Sequence, residues 1–205
     1  MSTSNLPLYV VDDDEAVRRS LGMLLLSRGH AVQTFDSGEA FLASVRLHHG
    51  GCVILDLRMT GMSGLQVFDA LRLHDSPLVV LFLSGNGDIA TAVDAVRRGA
   101  FDWLEKPCGE SVLLDKVKLA LVHAAQVQAL AAARQQAQSL WSKLTDREQE
   151  VARRVALGDS NKEIARTLVP PCEPRTVETH RAKAYAKLGL TTPIDVERFL
   201  RDHKL

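Results

Sequence analysis

With 205 residues, 46% of them hydrophobic and 24% charged, the chain has the composition of a soluble globular protein with room for domains of about 120 and 60 residues. No apolar run approaches the roughly 20 residues of a membrane span, and Met1 to Leu8 lacks the basic and apolar regions of a secretion signal, so a cytoplasmic chain with no membrane partner is expected. A formal net charge of zero conceals a net of −4 over residues 1–122 and +4 over residues 123–205, which points to a different partner for each part.

Taken in chain order, a near-continuous apolar run at 6–11 predicts a buried strand, and Val17, Leu21, Leu24 and Leu25 recur at helical spacing behind it. A shorter strand at 31–35 and a helix at 38–46 come next. Another apolar run at 52–57 precedes a helical pattern of Leu65, Phe68, Leu71 and Leu73. A strand at 78–83, a helix at 89–98, a strand at 101–104 and a helix over 109–121 complete the series. Strictly alternating strands and helices predict an α/β domain, a doubly wound sheet of five parallel strands. Residues 124–138 are rich in Ala and Gln with almost no large apolar residue, which predicts a helical linker. Val117, Leu121 and Ala124 fit an interdomain rod and a dimer seam alike.

Beyond the linker, Thr145 with Glu148 and Ser160 with Glu163 are two capping boxes, each opening a short amphipathic helix. Pro174 opens a third helix that stops at Gly189, and Thr192-Pro193 starts a fourth. These segments predict a small all-α domain of four helices. Cys52, Cys108 and Cys172 are odd in number and far apart, and are read as reduced thiols. His48 and His49 stand in a polar loop before a strand and are given no function.

Ligands of open α/β sheets bind beyond the carboxyl ends of the strands. This chain places Asp12, Asp13 and Asp14 after its first strand and Asp56 after its third. Asp13 or Asp14 also suits the N-cap of the following helix. Gathered carboxylates raise one another's pKa unless a cation joins them, so a hard divalent cation such as Mg2+ is expected. Ser84 ends the fourth strand and Lys106 follows the fifth. Cation, carboxylate, hydroxyl and ammonium on one rim suit phosphoryl chemistry.

The segments VVDDDEAVR, ILDLRMTGMSG, LSGNGD and GAFDWLEKP resemble, in order and spacing, the receiver domains of two-component response regulators. The resemblance covers residues 5–122. It implies that Asp56 is the phosphoacceptor, that Lys106 and Ser84 assist, and that Asp12, Asp13, Asp56 and the Arg58 carbonyl hold Mg2+. Ser84 and Trp103 take the places of the switch residues, and the Lys106–Pro107 peptide is expected to be cis. Thr60 stands where the family usually carries proline, which predicts a looser loop beside Asp56. Arg58 and Asn86, each two residues beyond a site residue, are expected to tune dephosphorylation. The implied partner is a sensor histidine kinase. The helix at 89–98, with Ile89, Ala90, Ala92, Val93 and Val96, suits a phosphorylation-dependent homodimer face and ordinary core packing equally.

LTDREQEVARRVALGDSNKEIARTL followed by PRTVETHRAKAYAKLGL resembles the helix-turn-helix of LuxR/FixJ-type regulators over residues 143–205, with 123–142 as the helical linker. That resemblance implies a transcription regulator that binds double-stranded DNA and contacts RNA polymerase. Glu178, Thr179 and Ala182 would face base edges, while Lys162, Arg175, Thr176, His180, Arg181, Lys183 and Lys187 would approach phosphates. The turn at 169–173 is two residues longer than usual and Glu173 is a poor N-cap, which predicts a loosely started or tilted recognition helix. Cys172 is expected to supply a small apolar contact there.

Two other classes compete with this reading. An Asp nucleophile with Mg2+ also describes small α/β phosphatases, against which the attached helix-turn-helix argues; the chain is expected not to be an enzyme beyond its own phosphoryl transfer and autodephosphorylation. The altered turn suits a regulator that acts by protein contact with impaired DNA binding.

Overall fold

The computed structural model describes residues 6–47, 49–85 and 89–205, with the backbone alone for Ile89 and Ala90. Strands β1 (Leu8–Val11), β2 (Val32–Phe35), β3 (Gly51–Leu55), β4 (Leu78–Ser84) and β5 (Asp102–Glu105) alternate with helices α1 (Glu15–Ser27), α2 (Gly38–Ser44), α3 (Gly64–Leu73) and α4 (Ile89–Arg97). The strands form one parallel sheet in the order β2-β1-β3-β4-β5. Residues of β1, β3 and β4 are buried throughout, because both faces of the sheet are covered.

Side-chain alternation divides the core in two. Leu8, Val10, Ile54, Leu81 and Leu83 face one side, with Leu25 of α1 and Leu113, Val117 and Leu121 of the helix after β5. Tyr9, Val11, Val53, Leu55, Val80 and Phe82 face the other, with Phe41 of α2, Val67, Phe68 and Leu71 of α3, and Ala95 of α4. Phe41 is wholly buried, and such a side chain contributes about 2 kcal/mol or more on leaving water.

Caps set the helix starts. The Asp14 side chain accepts from the amides of Ala16 and Val17, which makes it the N-cap of α1 and separates it from Asp12 and Asp13. Ser63 and Gln66 form a reciprocal capping box on α3. The expected helix at 38–46 ends at Ser44, and the expected strand at 52–57 ends at Leu55, so Asp56 is the first residue beyond the strand.

The chain divides into two compact units at 130/131. Helix α5 runs Glu110–Trp141 without a break, and its two ends belong to the units themselves. Ala124 is buried in the first core, and Trp141 is buried against Leu144, Ala184, Leu188 and Leu200 in the second unit. The second unit continues with α6 (Asp146–Ala156), α7 (Asn161–Thr167), α8 (Pro174–Leu188) and α9 (Pro193–His203). Val151 and Val155 of α6 pack with Ile164 of α7, Leu168 just beyond it and Val177 of α8. Capping boxes at Thr145/Glu148, Ser160/Glu163 and Thr192/Asp195 start α6, α7 and α9. No described helix is long and apolar enough to cross a membrane.

Candidate functional site

β1 pairs with β2 on one side and β3 on the other, so strand order reverses between β1 and β3 and opens a crevice at their carboxyl ends. Val11 pairs with Leu55, and the next residue of each strand is an aspartate. Asp12 and Asp56 are buried, 3% and 7% exposed, which means both charges need partners. Lys106 supplies one partner to both: its Nζ lies 2.5 Å from Asp12 Oδ2 and 2.6 Å from Asp56 Oδ1. The Lys106 amide donates to the Ser84 carbonyl at 2.7 Å, and the Lys106–Pro107 peptide is cis, as expected.

The remaining oxygens meet backbone donors. Asp56 Oδ2 accepts from the Arg58 amide at 2.8 Å, and Asp12 Oδ1 accepts from the Asp14 amide at 3.0 Å. Burial pushes the Asp12 carboxyl up, and the opposing pull of Lys106 does not fully cancel it. Burial also favours a neutral Lys106, but hydrogen bonds from its ammonium to Asp12 and Asp56 outweigh this and raise its pKa. Lys106 thus stays cationic. Gly64 allows α3 to start against this site, because a Cβ there would stand 2.1 Å from the Asp56 carbonyl oxygen.

Among the described residues Ser84 Oγ, which is buried, has no hydrogen-bond partner, a free donor at the rim that suits an incoming phosphoryl oxygen. In the sheet Ser84 pairs with Glu105 and Phe82 with Trp103. Period-two alternation puts Ser84, Phe82 and Trp103 on the same face, and the half-buried Trp103 ring lies 5.1 Å from Phe82. The two expected switch residues are therefore connected through one aromatic neighbour. Arg58 is exposed, and Asn86 lies outside the described residues.

The expected metal ligands are only partly assembled. Asp12 and Asp56 converge on Lys106, whereas Asp13 accepts from the Thr60 amide at 2.8 Å. Among the described residues no three acidic, His or Cys side chains form a ready cage. Their hard oxygen donors nonetheless match the chemistry of a Mg2+ site. Sequence reasoning missed two contributors. Arg18 Nη1 donates to the Asp12 carbonyl at 2.7 Å, and Glu39 Oε1 accepts from the Met62 amide at 2.9 Å. Arg18 closes the segment VVDDDEAVR, but nothing there announces its contact with the Asp12 carbonyl; the Thr60 amide was legible only as the absence of a proline.

In the second unit α8 turns Val177, Ala184 and Leu188 inward. Arg175, Thr176, Glu178, Thr179, Ala182 and Lys183 are exposed, as is Lys162 on α7. Three expected phosphate contacts, Lys187, Arg181 and His180, are half-buried rather than exposed. Lys187 Nζ is 2.5 Å from the buried Glu148 Oε2 and 3.1 Å from the Lys143 carbonyl, an internal ion pair. Arg181 lies over the Tyr185 ring at 5.2 Å and reaches Asn161 Oδ1 at 3.5 Å. Lys187 is held by α6 through Glu148, Arg181 by Tyr185 of its own helix and Asn161 of α7, and His180 is half-buried without a polar partner for Nδ1 among the described residues.

The longer turn is held rather than loose. Arg147 Nη2 donates to the Pro170 carbonyl at 2.9 Å, and the Cys172 amide donates to the Ala165 carbonyl at 3.1 Å. Cys172 packs against the Val151, Ile164 and Val177 cluster, the apolar contact expected of it. Glu173 makes no side-chain cap, and Pro174 occupies the first turn of α8.

Residues 8–118 match the family model for the response regulator receiver domain, and residues 142–198 match that for bacterial regulatory proteins of the luxR family. The chain is 40% identical over 194 residues to the transcriptional regulatory protein TdiR of Thauera aromatica, covering 94% of this chain and 84% of that one. It is 36% identical over 181 residues to the transcriptional regulatory protein FixJ of Bradyrhizobium diazoefficiens, covering 88% and 87%. The solved response regulator StyR superposes with a TM-score of 0.79 at 34% identity, covering 95% of this chain and 98% of that chain. The chain therefore belongs to the two-component response regulators, with a receiver domain followed by a LuxR-family DNA-binding domain.

Proposed function

We propose that Asp56 accepts a phosphoryl group from the phosphohistidine of a sensor kinase and that the aspartyl phosphate controls dimerisation and binding to double-stranded DNA. The observation that carries this reading is the Lys106 ammonium, shared between Asp12 and Asp56 beside the unpartnered Ser84 hydroxyl. A carboxylate oxygen of Asp56 bonds to phosphorus as the bond to the histidine nitrogen breaks, and the released imidazole takes a proton. Lys106 balances the charge that develops on the phosphoryl oxygens. Asp12, Asp13, Asp56 and the Arg58 carbonyl would hold Mg2+, which would supply further charge neutralisation.

Ser84 then donates to a phosphoryl oxygen, and Trp103, stacked on Phe82 two residues below, responds to its movement. The readout is the α4–β5 face, where Val93 and Val96 are exposed at 44% and 43%, a surface suited to a second copy. Arg58 and Asn86 tune the loss of the phosphoryl group to water. In the DNA-binding domain Lys162, Arg175, Thr176 and Lys183 meet phosphates, while Glu178, Thr179 and Ala182 meet base edges. With the turn at 169–173 pinned by Arg147 and the Cys172 amide, no observation favours a regulator that acts by protein contact alone.

The test is labelling by acetyl phosphate with Mg2+, then footprinting with and without beryllofluoride, each on wild type and Asp56→Asn. One stable phosphoryl group per wild-type chain, none on Asp56→Asn, and a beryllofluoride-dependent footprint are expected. Continuous phosphate release without a stable label would overturn the regulator reading in favour of an enzyme.

A further inference from the structure

We infer that the Thr60 backbone amide is a positioning group that holds Asp13 for Mg2+, an inference that rests on the Mg2+ reading above. Asp13 follows β1 and Thr60 lies in the β3–α3 loop, 47 residues later, yet the Thr60 N–H donates to Asp13 Oδ2 at 2.8 Å. Asp12 and Asp56 are both oriented by Lys106. Asp13 is the remaining carboxylate of the set, and the Thr60 amide takes the orienting role for it. A carboxylate fixed through one oxygen keeps the other for a cation.

The residue type matters because the resemblance leads one to expect proline at this place, and proline has no N–H to give. Proline stiffens a loop locally but cannot attach it to Asp13. Here the loop is attached twice: the Met62 amide donates to Glu39 Oε1 at 2.9 Å, two residues beyond the Thr60 contact. Gly61 between them has φ +77°, and a Cβ there would meet Glu39 Oε1 at 2.8 Å, so glycine permits this second attachment. The Arg58 carbonyl, another expected ligand, lies two residues before Thr60. One hydrogen bond thus ties the loop that carries the Arg58 carbonyl to Asp13. The looser loop expected from the missing proline is instead a loop held by two carboxylates.

The test is calorimetric titration of the full chain with MgCl2 alone, for wild type, Thr60→Ala and Thr60→Pro. Thr60→Ala keeps the amide and is expected to bind Mg2+ within about twofold of wild type, while Thr60→Pro binds about tenfold more weakly, the low end of effects from groups that orient metal ligands. Labelling of Thr60→Pro by acetyl phosphate should need more Mg2+ for half-maximal rate but reach the wild-type maximum. Equal Mg2+ affinity in all three proteins, or an equal loss in Thr60→Ala, overturns the inference and leaves the Mg2+ reading standing. Absence of Mg2+ binding to the wild type overturns the Mg2+ reading itself. A measurement on proteins that keep Thr60 guards against a Thr60→Pro chain that fails to fold: the Thr60 amide should exchange hydrogen more slowly in wild type than in Asp13→Ala. Equal exchange overturns the inference.

Discussion

Replacing Lys187 by Met should destabilise the DNA-binding domain and leave the salt dependence of DNA binding unchanged. Lys187 Nζ sits 2.5 Å from Glu148 Oε2, with side chains 36% and 4% exposed respectively. Removing one partner of a fully buried ion pair costs about 3–5 kcal/mol, because the other charge is left without compensation. Water reaches Lys187 and takes up part of that loss, which lowers the expectation to about 2 kcal/mol. In a unit this small, about 2 kcal/mol lowers the melting temperature by about 8–16 °C, measurable by calorimetry. In a Glu148→Gln background the same substitution should cost less than about 0.5 kcal/mol, since the charge it would strand is gone. On random-sequence duplex DNA, Arg175→Met should reduce the salt slope by about one unit, whereas Lys187→Met should not change it. An unchanged melting temperature together with a slope reduced by one unit would refute the ion-pair assignment and return Lys187 to the phosphate contacts.

The acid limb of stability offers a second test. Burial raises the Glu148 carboxyl, but Lys187 and the Thr145 amide outweigh it and hold the group below its ordinary 4.5. Its contribution is therefore complete above 4.5 and lost as pH falls through the depressed value, so Glu148→Gln should flatten the fall of the urea midpoint on acidification below 4.5. An acid limb as steep as wild type would remove Glu148 from this role. Gly64→Ala introduces a Cβ 2.1 Å from the Asp56 carbonyl; a loss of about 2 kcal/mol in receiver stability and slower acetyl phosphate labelling are expected. Wild-type stability in that variant would contradict the close approach of α3. Burial pushes the Cys52 thiol up to about 12, so iodoacetamide at neutral pH should leave it unmodified until the receiver unfolds, with Cys108 and Cys172 reacting first. A Cys52 adduct on the native protein would argue against a fully covered β3.

Much of the receiver was legible because its signals are local and repeated. Apolar runs over β1, β3 and β4 mark strands buried on both faces, and capping residues at Asp14, Thr145 and Ser160 mark helix starts through hydrogen bonds spanning two or three residues. Asp12, Asp56, Ser84 and Lys106 were legible for the same reason. In a parallel sheet a residue at the end of a strand is at the rim, and position in the strand can be read from pattern.

Other features depended on residues distant in the chain. Lys187, Arg181 and His180 look like DNA contacts in sequence, since a basic or polar residue on a short helix carries no record of whether a neighbouring helix already holds it. The buried Glu148, 39 residues from Lys187, decided that case. Ala124 and Trp141 look like parts of a spacer, yet packing draws each into a domain core. The amide of Thr60 is present in the sequence, but its partner is chosen where two loops meet. Local hydrogen bonding and periodic burial follow from the order of residues, so the sequence by itself determined the elements, their alternation and the phosphoacceptor rim. Which charges are spent internally and which remain for a ligand depends on long-range proximity, and only the tertiary structure decided it.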